Sequence, residues 1–147
     1  MDDAIHRYYM NEALKEARIA FEEDEVPVGA ILVSGNRMLA KTRNHVEKLR
    51  DVTAHAELLA ITAASQGLHN KFLDQCTLYV TLEPCPMCAA ALGWARIGAV
   101  FYAAQDDKRG YTLFNPNLLH PKTQVLHGLK EEECSALVTE FFRRKRQ

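Results

Sequence analysis

No apolar stretch in this chain approaches the roughly 18–20 residues that a membrane-spanning helix needs; runs such as 89–92 and 99–104 stop far short of it. Net charge is nearly absent too. Lys and Arg number 18 against 19 Asp and Glu, leaving −1, so the chain lacks the strongly basic footprint of a phosphate-binding domain. Cysteine is sparse, at four among 147 residues of which 48% are hydrophobic. A chain of that size buries roughly 68–70% of its unfolded surface, so its core needs no disulfide scaffold, and small-knot and fibrous classes are excluded. Charged residues at 25% exclude the high-charge, low-hydrophobicity composition of a disordered chain.

Internal repeats, low-complexity tracts and interdomain linkers are also missing, so 1–147 reads as one domain. The opening Met1-Asp2-Asp3-Ala4 is acidic and lacks the basic-then-apolar pattern of a secretory signal. The expectation is a cytoplasmic protein with no membrane partner. In that compartment thiols stay reduced and serve as thiols or metal ligands rather than bridges.

Ile5, Tyr9, Ala13, Ala17, Ala20 and Phe21 recur at helical intervals and predict an amphipathic helix over 3–21. Val28-Gly29-Ala30-Ile31-Leu32-Val33 predicts a buried strand, and Ser34-Gly35-Asn36 turns it into a second at 38–41. After a polar loop over 43–52, Thr53 is the candidate N-cap of a helix over 54–65 that ends near Gly67. A third strand at 77–82 runs into Glu83-Pro84-Cys85-Pro86-Met87-Cys88, and 89–95 is helical, proline suiting a helix start. Strands follow at 99–103 and, more weakly, 124–126. A last helix at 131–146 carries Leu137, Val138, Phe141 and Phe142 as its apolar positions. The stretch 106–123 carries no clear pattern and suits a functional loop as well as a scaffold connection. The order α-β-β-α-β-α-β-β-α predicts an α/β protein, three layers (α/β/α) about a mixed five-stranded sheet.

Cys85 and Cys88 are spaced to place both sulfurs on one side of a helix start, where the helix dipole favours the thiolate that metals bind. His55 stands at the start of another helix, so the two helix ends can converge on one cation as a His-Cys-Cys zinc set. Structural zinc sites are normally closed by four protein ligands and catalytic ones leave a position for water. The sequence offers no second Cys-x-x-Cys. Zinc brings the pKa of a bound water to about 7, and Glu57 is the candidate proton shuttle. A regular helix puts residues i and i+2 on nearly opposite faces, so a shared site requires His55 and Glu57 to meet off the helix end.

Taken singly, a Cys-x-x-Cys pair is redox or structural as often as catalytic, and a lone His-x-Glu is close to noise; together, each at a helix start, they are a strong signal. Cys76 reads as a core thiol at a strand edge and Cys134 as a helix-face thiol. His6, His45, His69, His120 and His127 read as surface or hydrogen-bonding residues rather than ligands.

His55-Ala56-Glu57 followed by Pro84-Cys85-Pro86-Met87-Cys88 resembles the signature of zinc nucleobase deaminases. More closely, Glu25-Val26-Pro27-Val28-Gly29-Ala30, Thr53-Ala54-His55-Ala56-Glu57 and Leu78-Tyr79-Val80-Thr81-Leu82-Glu83-Pro84-Cys85 resemble the bacterial tRNA-specific adenosine deaminases over nearly the whole chain. That resemblance implies a cytidine deaminase-like fold, a homodimer, and hydrolysis of the wobble adenosine of a tRNA anticodon stem-loop to inosine. It implies Zn2+ on His55, Cys85 and Cys88, and Glu57 moving protons between water, base and leaving ammonia. It also implies Asn44 hydrogen-bonding the base, for which a loop-capping role is the alternative, and Asp106 near the substrate strand. The chain departs from the family at 107–116, where many members carry a small-residue stretch, and at 119–123. The departure bears on RNA contacts and leaves the chemistry untouched.

Arg143-Arg144-Lys145-Arg146 follows Phe141-Phe142, a combination suited to phosphates and unpaired bases; Phe142 and Arg143 are the candidate contacts. Cations at a helix C-terminus also complement its dipole, and the phenylalanines suit a core. Two rival readings stand beside the leading one. Trp94-Ala95-Arg96 and Val100-Phe101-Tyr102-Ala103-Ala104 are also similar to guanine deaminases, pointing to a small-molecule base deaminase. A noncatalytic zinc-stabilised RNA-binding module is the other, opposed by Glu57 and the lack of an evident fourth ligand.

Overall fold

A computed structural model describes residues 3–146. In chain order the elements are α1 (Asp3–Glu22), β1 (Gly29–Ser34), β2 (Arg37–Arg43), α2 (Val46–Leu49), α3 (Ala56–Leu68), β3 (Cys76–Leu82), α4 (Pro86–Trp94), β4 (Ala99–Ala104), β5 (Gln124–His127) and α5 (Glu131–Lys145), with one 3-10 turn at Tyr111–Leu113. The strands form one mixed sheet in the order β2-β1-β3-β4-β5. β1 is antiparallel to both β2 and β3, whereas β3, β4 and β5 run parallel.

The inner strands are apolar on both faces because both faces are covered. Ala30, Leu32, Leu78, Val80, Val100 and Tyr102 pack with Ala56, Ala60 and Ala64 of α3 and Ala89 and Leu92 of α4. The alternate residues Ile31, Val33, Tyr79, Phe101 and Ala103 pack with Tyr9, Met10, Ala13 and Leu14 of α1 and Cys134 of α5. This is the expected three-layer α/β/α arrangement, with a core on each side of the sheet. Leu32, Leu78 and Val100 are fully buried, each contributing about 1.5–3 kcal/mol through apolar area removed from water. Alanine on the sheet-facing side of α3 and α4 brings those helices close to the strands, and small side chains there set the spacing of the layer.

Gly29 permits the closest approach on the other face. A Cβ there would run into the Ala13 carbonyl oxygen and the Ala17 amide of α1. The hairpin between β1 and β2 closes through Gly35, whose φ of +63° suits a residue without a Cβ.

Strand polarity gathers the chain's chemistry at one end. Gly29, at the start of β1, pairs with Arg43 at the end of β2, and Leu82 pairs with Ala104, both at strand ends. α3 follows β2 and α4 follows β3, so both helices begin at that same end of the sheet.

Several boundaries differ from the expected ones. α3 starts two residues later than Thr53 would set, with His55 as N-cap; Thr53 instead turns its amide and hydroxyl to Asp51 Oδ1. The same helix continues past Gly67 and ends in a left-handed His69 at φ 52°. The loop over 43–52 contains the single turn α2. Phe141 is buried and packs edge-on against Phe21, while Phe142 is 43% exposed, so the aromatic pair is divided between core and surface. Cys76 and Cys134 are buried thiols, as expected. Among the described residues no helix is long and apolar enough to cross a membrane.

Candidate metal centre and active site

His55 and Cys85 occupy equivalent places, each the N-cap of its helix, with extended backbone (φ −77°, ψ 150° and φ −72°, ψ 168°). Neither side chain caps its own helix. They turn toward each other instead: His55 Nδ1 lies 3.7 Å from Cys85 Sγ and 3.5 Å from Cys88 Sγ. Pro86 opens α4 and needs no amide partner there, and Cys88 follows one turn into the helix with its sulfur on the same side.

The donor set fits a tetrahedral zinc ion. Bonds of roughly 2.0 Å to nitrogen and 2.3 Å to sulfur place such donors about 3.6 Å apart, the separation found, and all three donor atoms lie within 4.8 Å of one another. Two helix N-termini converge on the group, and their dipoles favour anionic sulfur. The neighbouring Cys88, and then His55, pull Cys85 down to about 4, while the same contact with Cys85 and burial push Cys88 up. Contact with Cys85 also raises His55. As thiolates, the form that metals bind, the two sulfurs would carry negative charge that a divalent cation neutralises.

Glu57 reaches the same group. The i to i+2 objection disappears because His55 is extended and outside the helix, while Glu57 lies in the first turn. Its carboxyl is buried and hydrogen-bonded to its own amide and to the Cys88 thiol; burial is the main cause that pushes it up to about 7.

Asn44 fixes where α3 begins. Its Oδ1 accepts from Ala56 N at 2.7 Å and its Nδ2 donates to the Val26 carbonyl at 3.1 Å. The side chain therefore supplies the cap that His55 does not. An amide nitrogen carries two hydrogens, so one remains beyond the Val26 bond. The capping reading of this residue is thus seen directly.

Asp106 follows β4 and organises the next loop, its Oδ1 accepting from Lys108 N and Arg109 N at 3.0 Å each. Phe142 and Arg143 lie on α5, in the layer opposite α3 and α4. Lys145 of that helix reaches Asp24 at 2.7 Å, which brings the helix end to the part of the sheet where β1 begins. Arg143 is paired with Glu140 through two contacts of 2.7 and 2.6 Å, and Arg144 shares the same carboxylate. The cationic tail is therefore largely engaged in ion pairs of its own.

Besides Glu57, the buried carboxylates among the described residues are Glu12, Glu16, Glu25 and Glu83, none of them singled out from the sequence, and two of these hold loops near the candidate site. Glu25 accepts from Glu47 N and Lys48 N at 3.0 and 2.8 Å and so tethers α2. Glu83, two residues before Cys85, accepts from Asp106 N, Thr112 N and Thr112 Oγ1. Glu25 closes the acidic stretch 22–25 and Glu83 stands between a strand and a proline, so neither carries a signal of its role.

The MafB19-like deaminase family matches residues 4–146. A tRNA-specific adenosine deaminase of Agrobacterium fabrum is 45% identical, with 97% of each chain covered. A solved structure from work on tRNA:A34 deaminases superposes with a TM-score of 0.82 at 44% identity, covering 88% of this chain and 98% of that one. A guanine deaminase from Nitrosomonas europaea shares the fold at a TM-score of 0.83 and 24% identity, covering 92% of this chain and 83% of that one. With a His-Cys-Cys group beside a buried glutamate on this fold, the chain belongs to the MafB19-like deaminases and, within them, to the tRNA-specific adenosine deaminases.

Proposed function

We propose that this enzyme converts the wobble adenosine of a tRNA anticodon loop to inosine, water replacing the 6-amino group and ammonia leaving. The single observation that carries the reading is the convergence of His55, Cys85 and Cys88 on one point with the Glu57 carboxyl against Cys88, in a chain 45% identical to a named tRNA adenosine deaminase.

His55, Cys85 and Cys88 would hold a zinc ion, which would supply the Lewis acidity that makes water nucleophilic near neutral pH. Glu57 is the proton carrier: its carboxylate takes a proton from the attacking water and delivers it to N1 of the adenine, then takes the proton of the newly added hydroxyl and passes it to the amine, which leaves as ammonia. The walls around Glu57 exclude bulk water, so protons pass through this one group. Asn44 uses its remaining Nδ2 hydrogen on the base and keeps its oxygen on α3, so substrate binding and helix register share one side chain. Asp106 lies on the side where the flanking strand of the RNA passes. Phe142 offers a face for an unpaired base, and Arg143 exchanges Glu140 for phosphate as RNA arrives.

The chain acts as one domain, in the cytoplasm where its substrate is found, and as a homodimer. Met87 and Trp94, one heptad apart on α4, are 38% and 84% exposed, and a second copy would cover them; sedimentation of the purified protein tests this. For the activity, an anticodon stem-loop with adenosine at the wobble position is compared with free adenosine and free guanine. Inosine in the RNA, with the free compounds untouched, supports the reading. Deamination of free guanine with none of the RNA overturns it in favour of a small-molecule deaminase.

A further inference from the structure

Glu83 is 3% exposed, and all three side-chain hydrogen bonds it receives come from one loop. Oε1 accepts from Asp106 N at 3.1 Å; Oε2 accepts from Thr112 N at 3.0 Å and Thr112 Oγ1 at 2.8 Å. The loop is stitched to the same strand end by its backbone as well, through Tyr111 N to the Pro84 carbonyl at 2.9 Å, next to the bond from Glu83 N to the Ala104 carbonyl at 2.8 Å that joins the ends of β3 and β4. Gly110 lies directly over the carboxyl, where an added Cβ would collide with Glu83. Tyr111 is buried beside it, whereas Leu113 and Phe114 are 57% and 65% exposed. The clamp therefore holds an exposed, partly apolar loop at a fixed height above the residues that lead into Cys85.

We propose that Glu83 is a positioning residue for the RNA substrate, pinning the 106–112 loop to the strand end that delivers Cys85 so that loop and metal ligands form one rigid body. A carboxylate is required because every partner is a donor. A glutamine has one acceptor oxygen and one NH2, so in either orientation a donor faces a donor, with no change in volume. The proposal takes its substrate from the reading above and concerns how that substrate is held, not the chemistry at the base.

The test uses full-length, zinc-loaded protein with Glu83→Gln and Thr112→Val. In Glu83→Gln the KM for the anticodon stem-loop rises about tenfold, the scale of one lost charge-assisted hydrogen bond, with a smaller change in kcat and unchanged zinc content. Without RNA, the Asp106 and Thr112 amides exchange hydrogen about tenfold faster than in the wild type. Thr112→Val keeps the backbone bond and shows a smaller rise in KM; it decides the matter should Glu83→Gln fail to fold. Unchanged KM together with unchanged amide exchange overturns the proposal, as does loss of zinc and of kcat at constant KM. If the wild type does not act on RNA, the tRNA reading falls, and the exchange measurement still reports on the clamp.

Discussion

Asn44 Oδ1 accepts from Ala56 N at 2.7 Å, so the side chain of the residue that follows β2 caps the helix whose N-cap, His55, turns away toward Cys85 and Cys88. The division of labour is physical. A histidine that capped α3 could not also present Nδ1 to two sulfurs.

Replacing Asn44 with alanine leaves the Ala56 amide without its partner in a buried setting and takes one of two donors from the Val26 carbonyl, which keeps Val28 N at 2.8 Å. Stability falls by about 1–3 kcal/mol, read from denaturant unfolding, and zinc affinity falls with it because His55 loses its fixed position. A variant of wild-type stability and metal affinity contradicts the capping role.

Glu57→Gln keeps the shape of the side chain and removes its capacity to carry protons. Turnover of the stem-loop drops by roughly 10²–10⁴-fold, while zinc content and thermal stability stay near the wild type. Equal turnover removes Glu57 from the mechanism.

Chelation and cysteine replacement act on the same centre. Ligands that bind only the folded state stabilise it, by about 2.7 kcal/mol at a concentration 100 times Kd, so the Tm of the wild type rises on zinc addition and falls on chelation. Cys85→Ala lacks this response and contains little zinc by elemental analysis. A zinc-dependent Tm that survives in Cys85→Ala places the metal elsewhere.

Gly29→Ala drives a methyl group into the Ala13 carbonyl and the Ala17 amide, backbone atoms that move only if α1 lifts from the sheet. The expected loss is about 1–3 kcal/mol, measured by urea unfolding. The same substitution at Gly67, where nothing lies within 4 Å of the added carbon, does not destabilise.

The layering was legible in the sequence because β1, β3 and β4 are continuous apolar runs between helical patterns, and buried strands leave that trace. The His55, Cys85 and Cys88 group, whose donor atoms the structure brings within 4.8 Å of one another, was legible because coordination chemistry asks for those residue types at such spacing. Three things were not. α2 is one turn long, too short for periodicity to register. Thr53 has the composition of an N-cap, yet the buried carboxamide of Asn44 outcompetes it and moves the helix start to Ala56. Glu25 and Glu83 bind backbone amides of distant loops, and an amide is present at nearly every position, so their partners carry no residue signature.

The most direct measurement is a single-turnover assay of zinc-loaded protein on an anticodon stem-loop carrying the wobble adenosine, with Glu57→Gln alongside and free guanine as the competing substrate. Conversion to inosine by the wild type, its loss in Glu57→Gln at equal zinc content, and inert guanine are the predicted results. Ammonia released from guanine while the RNA adenosine persists contradicts the account.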